Sequence, residues 1–193
     1  MLDTLIVVET DVITYEEASL LIRKRAKEVY KRKEFGHREA DTVVSGQEKS
    51  KVCFATLAER KTMYYIAVKI PDRTGRSMAD AMIKALSELP KGAVKTITCD
   101  RGSEFADWRR IEKELNCDIF FADPYCAWQK GTNENLNGLL REFYPKGRNL
   151  SGVSPTTLKK DPALINARPK KVIGFQKPVD LFDTSIQKLL HFT

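Results

Sequence analysis

The order in which the hydrophobic period changes along the chain most constrains its fold. From Glu39 onward the pattern is strand-like. Asp41–Val44 ends at the turn signal Ser45-Gly46, and Lys51–Leu57 and Met63–Ile70 are rich in Val, Ile, Phe and Tyr around Arg60-Lys61. These predict three antiparallel strands. The period then becomes helical. Ser77 with Asp80 is read as a helix start, and Met78, Met82, Ala85, Leu86 and Leu89 recur at helical spacing before Pro90 and Gly92. Lys95–Cys99 predicts a strand, 104–115 a helix, Cys117–Ala122 a fifth strand and 132–143 a third helix. Three meander strands followed by strand–helix alternation imply an α/β fold, a mixed five-stranded sheet flanked by helices. It is the order of the ribonuclease-H-like fold.

Charge is unevenly spread. The chain has 193 residues and a net charge of +7. Residues 21–40 carry eight bases against three acids, and residues 141–178 nine against two, while 41–140 are nearly balanced at fifteen and fourteen. A near-neutral middle between basic flanks suits a body that holds a phosphate backbone at its edges, although a generic solvated surface reads the same way. Residues 16–34 read as a polar, basic helix. The four cysteines form no CxxC pair, so reduced, buried thiols in a cytosolic protein are expected rather than zinc. Leu5–Val8 is too short to span a membrane, and the acidic N-terminus does not resemble a signal peptide. His37 and His191 are the only histidines, which excludes chemistry that needs several.

Three carboxylates stand at telling positions. Asp41 lies in the first of the meander strands. Asp100 ends the fourth, where ligands gather in open alternating sheets. Glu134 opens the third helix, on the face it shares with Asn137, Gly138 and Arg141; Leu136, Leu139, Leu140 and Phe143 take the opposite face. Three carboxylates without a histidine form a hard-oxygen set suited to Mg²⁺ or Mn²⁺. Two such ions can clamp the attacking and leaving oxygens of a phosphodiester displacement. By residue type alone, the same three read more readily as a strand-end, a turn and a helix-N-terminal acid.

The flanking residues narrow this. Gly36-His37-Arg38-Glu39-Ala40-Asp41-Thr42-Val43 resembles the first-aspartate motif of the insertion-sequence-thirty family of DDE transposases. Asp100-Arg101-Gly102-Ser103-Glu104-Phe105 is similar to the second. Phe121-Ala122-Asp123-Pro124-Tyr125 and the run from Trp128 through Glu134 to Leu139 resemble the third-acid motif. Phe143–Gly147 and Leu164–Lys170 also match, and the resemblance spans roughly 25–182. It implies a ribonuclease-H-like integrase catalytic core over 36–182, after an N-terminal basic helical extension at 1–35 and before a C-terminal tail at 183–193. It implies a polynucleotidyl transferase with Asp41, Asp100 and Glu134 as catalytic residues and ligands of two Mg²⁺ or Mn²⁺ ions. The partners implied are double-stranded DNA, both transposon ends and target, and further copies of the chain on that DNA, in a bacterial, nucleoid-associated cytoplasmic setting. Trp128, Lys130, Asn133, Asn137 and Arg141 are the expected DNA contacts. Arg38, Ala40 and Arg101 replace the family's Trp, Gly and Asn, and Pro162 is expected to break or kink a helix. The forty residues before the core do not read as the family's helix-turn-helix. That leaves a non-catalytic, truncated DNA-binding relic as the alternative, with a non-transposing nuclease of the same fold as a third reading.

Overall fold

The computed structural model describes residues 6–8, 11–13, 25–46, 50–123 and 126–191. A two-stranded antiparallel hairpin, β1 (Ile6–Val8) and β2 (Asp11–Ile13), precedes the main body. The basic helix expected at 16–34 lies partly outside the described residues. Within them, Lys27–Lys31 forms a 3-10 turn that ends where Arg32 turns left-handed.

The main sheet contains β3 (His37–Val44), β4 (Cys53–Glu59), β5 (Tyr65–Ile70), β6 (Thr96–Cys99) and β7 (Asp118–Phe121), in the order β5-β4-β3-β6-β7. β3, β4 and β5 pair antiparallel, while β6 lies parallel to both β3 and β7. The antiparallel half follows from short connections. The parallel half needs crossovers, which α1 (Gly75–Leu86) and α2 (Trp108–Leu115) supply. The sheet is thus the expected mixed five-stranded one, with β3 starting four residues earlier than its apolar pattern suggests. α1 also begins earlier than expected. Thr74, not Ser77, is its N-cap, and the Thr74 hydroxyl accepts the Ser77 N–H.

α1 and α2 cover one face of the sheet over Ala40, Ala55, Leu57, Ile97 and Cys99. α3 (Gly131–Phe143) and α4 (Pro155–Ala167) cover the other over Val43, Phe54, Ala58 and Tyr65. Pro162 does not break α4; the helix runs from Pro155 to Ala167. Its ring forfeits a helical N–H, but Leu158, Pro162 and Ile165 are buried together, and that burial outweighs one lost bond. β5 is an edge strand, and α4 completes it. Asn166 Oδ1 accepts the Tyr65 N–H at 2.9 Å, and Asn166 Nδ2 donates to the Tyr65 carbonyl at 2.8 Å, as a neighbouring strand would.

α5 (Pro178–His191) is one continuous helix, so the expected tail boundary after residue 182 falls inside it. It is anchored by Phe182, stacked on Tyr64 at 3.9 Å and edge-on to Phe35. Between these rings lies Arg38, fully buried, donating to the Ala93 carbonyl, with its pKa pushed down to about 10 by burial. Arg38, one of the three departures from the motif, is therefore a core residue seated among aromatic rings. No helix among the described residues is long and apolar enough to cross a membrane.

Candidate active site

The strand register assembles the first half of the site. β3 and β6 pair in parallel with Glu39 beside Thr98. Asp41 comes two residues further along β3, and Asp100 follows directly after β6, so the parallel pairing that ends at Glu39 and Thr98 sets the mid-strand Asp41 beside the carboxyl end of its neighbour. Both are partly exposed, with side-chain accessibilities of 28% and 43%.

A cation lies between them. Lys130, the residue before α3, places its Nζ 2.9 Å from Asp100 Oδ2, 3.5 Å from Asp41 Oδ1 and 3.4 Å from the Ala40 carbonyl oxygen. Burial opposes the Lys130 charge, but attraction to Asp41 and Asp100 outweighs it, and its pKa is raised. The Asp41 pKa is raised as well. Burial is the larger cause, assisted by the Asp100 charge and opposed by Lys130.

Helix α3 orients Asp41. Asn137 Nδ2 donates to Asp41 Oδ2 at 3.0 Å, the Thr42 N–H donates to Oδ1 at 2.9 Å, and Tyr65 fixes the Asn137 amide by donating its hydroxyl to Oδ1 at 2.6 Å. Asn133 does not face outward as a DNA contact would. It is fully buried; its Nδ2 donates to the Glu39 and Thr56 carbonyls, and its N–H donates to Glu39 Oε2. Asn133 thus seats α3 on β3 and β4. It was expected among the DNA contacts, but the backbone and carboxylate of Glu39 give it a buried partner instead. Glu39 is itself paired with buried Arg60.

The remaining expected residues divide. Glu134 is exposed, one turn beyond Lys130 on α3. Trp128 is 69% exposed. Arg141 donates to the Tyr144 and Val44 carbonyls and lies against the end of β3. Tyr125, beside Trp128 in the motif, lies outside the described residues. Among the described residues no three His, Cys, Asp or Glu side chains lie close enough to form a metal cluster. The structure therefore brings Asp41 and Asp100 together around Lys130 and leaves Glu134 at the rim. The oxygens of Asp41, Asp100 and Ala40 already surround a cation, and this hard donor set fits Mg²⁺ or Mn²⁺.

One acid has a larger role than its sequence position suggests. Glu104 looks like a simple helix-start acid, yet it is 1% exposed. Its Oε1 accepts from the Thr42 hydroxyl at 3.0 Å and from Arg73 at 2.8 Å, tying the loop after Asp100 to the strand that carries Asp41. Gly102 permits this, because a β-carbon there would lie 2.1 Å from Glu104 Oε2. The Asp-x-Gly-x-Glu spacing was the available signal.

Sheet order and helix layers define a ribonuclease-H-like domain, and solved structures agree. The catalytic core domain of BIV integrase superposes with a TM-score of 0.61 at 17% identity, covering 80% of this chain and 98% of that one. A chain of a simian T-cell lymphotropic virus intasome gives 0.56 at 16%, covering 68% and 48%. Residues 31–127 match the integrase core domain family, and the chain belongs to that family. It is 35% identical over 162 residues to a probable transposase for insertion-like sequence element IS1161 of Streptococcus salivarius, covering 84% of this chain and 46% of that protein. It is 33% identical over 165 residues to transposase InsI for insertion sequence element IS30A of Escherichia coli K12, covering 86% and 42%. The chain thus spans under half the length of these relatives.

Proposed function

We propose that this chain is the catalytic core of a DNA transposase, cutting and rejoining DNA strands with Asp41, Asp100 and Glu134 as its catalytic carboxylates. The observation that carries the reading is that Asp41 on β3 and Asp100 just after the parallel strand β6 meet around one cation. Family membership and the transposase relatives support it.

Asp41, Asp100 and Glu134 would hold two Mg²⁺ or Mn²⁺ ions. Bound there, such ions supply Lewis acidity to a phosphodiester and lower the pKa of an attacking water or 3′-hydroxyl. The chain's own residues do the positioning. Asn137 and the Thr42 N–H fix both Asp41 oxygens. Glu104 braces the loop beyond Asp100 against Thr42. Asn133 locks α3 to the sheet, which sets where Glu134 stands. Exposed Trp128 offers a stacking face at the mouth of the site, and Arg141 a guanidinium on the same helix as Glu134.

The substrate would be double-stranded DNA, transposon end and target, with more than one copy of the chain assembled on it, at the bacterial chromosome in the cytoplasm. Incubating the chain with supercoiled plasmid should give Mg²⁺- or Mn²⁺-dependent nicking. Asp41→Asn or Asp100→Asn should lower the rate by a factor on the order of 100 or more. Nicking without divalent ions, or undiminished in Asp100→Asn, would refute the mechanism.

A further inference from the structure

Lys130 has an unusual position for a surface-loop lysine. Only 10% of its side chain is exposed, and its ammonium contacts oxygens on two catalytic strands, Asp41 and the Ala40 carbonyl on β3 and Asp100 after β6. Those oxygens are the ones a divalent ion at this site would need. We propose that Lys130 is a tethered cation that occupies the site before metal arrives, and that divalent ions bind only when its ammonium withdraws. The proposal rests on the metal-site reading above.

The physical argument is competition. Asp41 and Asp100 share one cationic neighbour, the Lys130 ammonium, 3.5 Å from Asp41 Oδ1 and 2.9 Å from Asp100 Oδ2. A positive charge between two neighbouring carboxylates offsets their mutual repulsion. Lys130 supplies that charge within the fold. A divalent ion supplies more, but it cannot share the same oxygens with an ammonium without strong like-charge repulsion. The lysine can leave. It ends the 3-10 turn Ala127–Lys130 immediately before α3, and four rotatable side-chain bonds separate its ammonium from that backbone. Lys130 in this role is a positioning residue. It preorganises Asp41 and Asp100 while the site lacks metal and sets a threshold for loading.

The test is Mn²⁺ binding by titration calorimetry on the full chain without DNA. Lys130→Met and Lys130→Gln should each bind Mn²⁺ at least about tenfold more tightly than the parent, because no resident charge has to be displaced. Lys130→Arg, which keeps the charge, should bind like the parent. Thermal unfolding gives a second readout: Lys130→Gln should melt lower than the parent without metal and gain more from Mn²⁺. Equal or weaker Mn²⁺ binding by the Met and Gln variants would overturn the proposal. Adding Asp100→Asn to Lys130→Met should abolish the tight binding. If tight binding survives that change, or no variant binds Mn²⁺ at all, the metal-site reading itself falls.

Discussion

Replacing Gly102 by alanine isolates the packing that holds the second aspartate loop. The backbone there is extended (φ −69°, ψ 148°), a conformation alanine adopts freely, so no torsional strain arises. The whole effect must come from the added methyl. It would lie 2.1 Å from Glu104 Oε2, 2.5 Å from Cδ and 2.9 Å from Oε1. Such contacts cannot persist, and the carboxylate is the mobile partner. Moving it breaks its bonds with the Thr42 hydroxyl and Arg73. A hydrogen bond to a charged group is worth about 1.5–3 kcal/mol. Arg73 is half exposed, so its ion pair adds little. Alanine also restricts the unfolded chain, returning about 0.4–1 kcal/mol. The net expected loss is therefore about 1–3 kcal/mol, read by urea unfolding followed by tryptophan fluorescence. The decisive comparison is a double-mutant cycle. In a Glu104→Ala background the obstacle is gone, so Gly102→Ala should become neutral or slightly stabilising. The same loss in both backgrounds would show that the methyl collides elsewhere and that Glu104 does not brace this loop.

Two further perturbations probe other links. Asn137→Ala removes the side chain that fixes Asp41 Oδ2 and leaves the Tyr65 hydroxyl without its acceptor. Divalent-dependent nicking should fall roughly 10–100-fold, chiefly in the rate constant at saturating DNA, and a change confined to DNA affinity would contradict the orienting role. Glu34 has its pKa lowered to about 2 by hydrogen bonds from Lys95 and His37. Because the folded value is depressed, its stabilisation is present above the ordinary glutamate range and is lost as pH falls from about 4.5 toward 2. The side chain is 48% exposed, so the size is under about 1 kcal/mol. Urea unfolding should find Glu34→Gln less stable than the parent at pH 7 and equal to it near pH 2; a gap unchanged at low pH would refute the assignment.

What the sequence made legible depends on which physical signal each feature carries. The five strands and three of the helices announce themselves through apolar period, because one face of each must be buried. Asp100 is legible because an acid directly after a short apolar run has one place to go. Strand alternation also put Glu39 on the same face as Asp41, yet nothing local indicates that Glu39 is buried against Arg60 and the Asn133 N–H, partners 21 and 94 residues away. Asn133 was misplaced for the same reason. A helical wheel separates apolar from polar positions, and a polar side chain that satisfies buried backbone carbonyls looks identical to one that meets solvent. Pro162 is the reverse case: of the break or kink expected there, the break does not occur, because α4 gains burial through it.

The site joins groups of two different kinds, and this bears on how it can work. Asp41 is set by backbone pairing within the sheet, and Asp100 by its place directly after β6, where it accepts the Gly102 N–H. Lys130 and Glu134 are set by where α3 begins and how it is seated, and that rests on Asn133 and Asn137, two side-chain amides reaching the sheet. A shift of α3 by a fraction of a turn would leave the aspartates in place while moving the lysine away from them and the glutamate nearer or farther. On the proposed function, the sheet-borne half of the site would determine where a phosphodiester reacts, and the helix-borne half when. Changes that loosen Asn133 should disturb metal loading before they disturb the sheet.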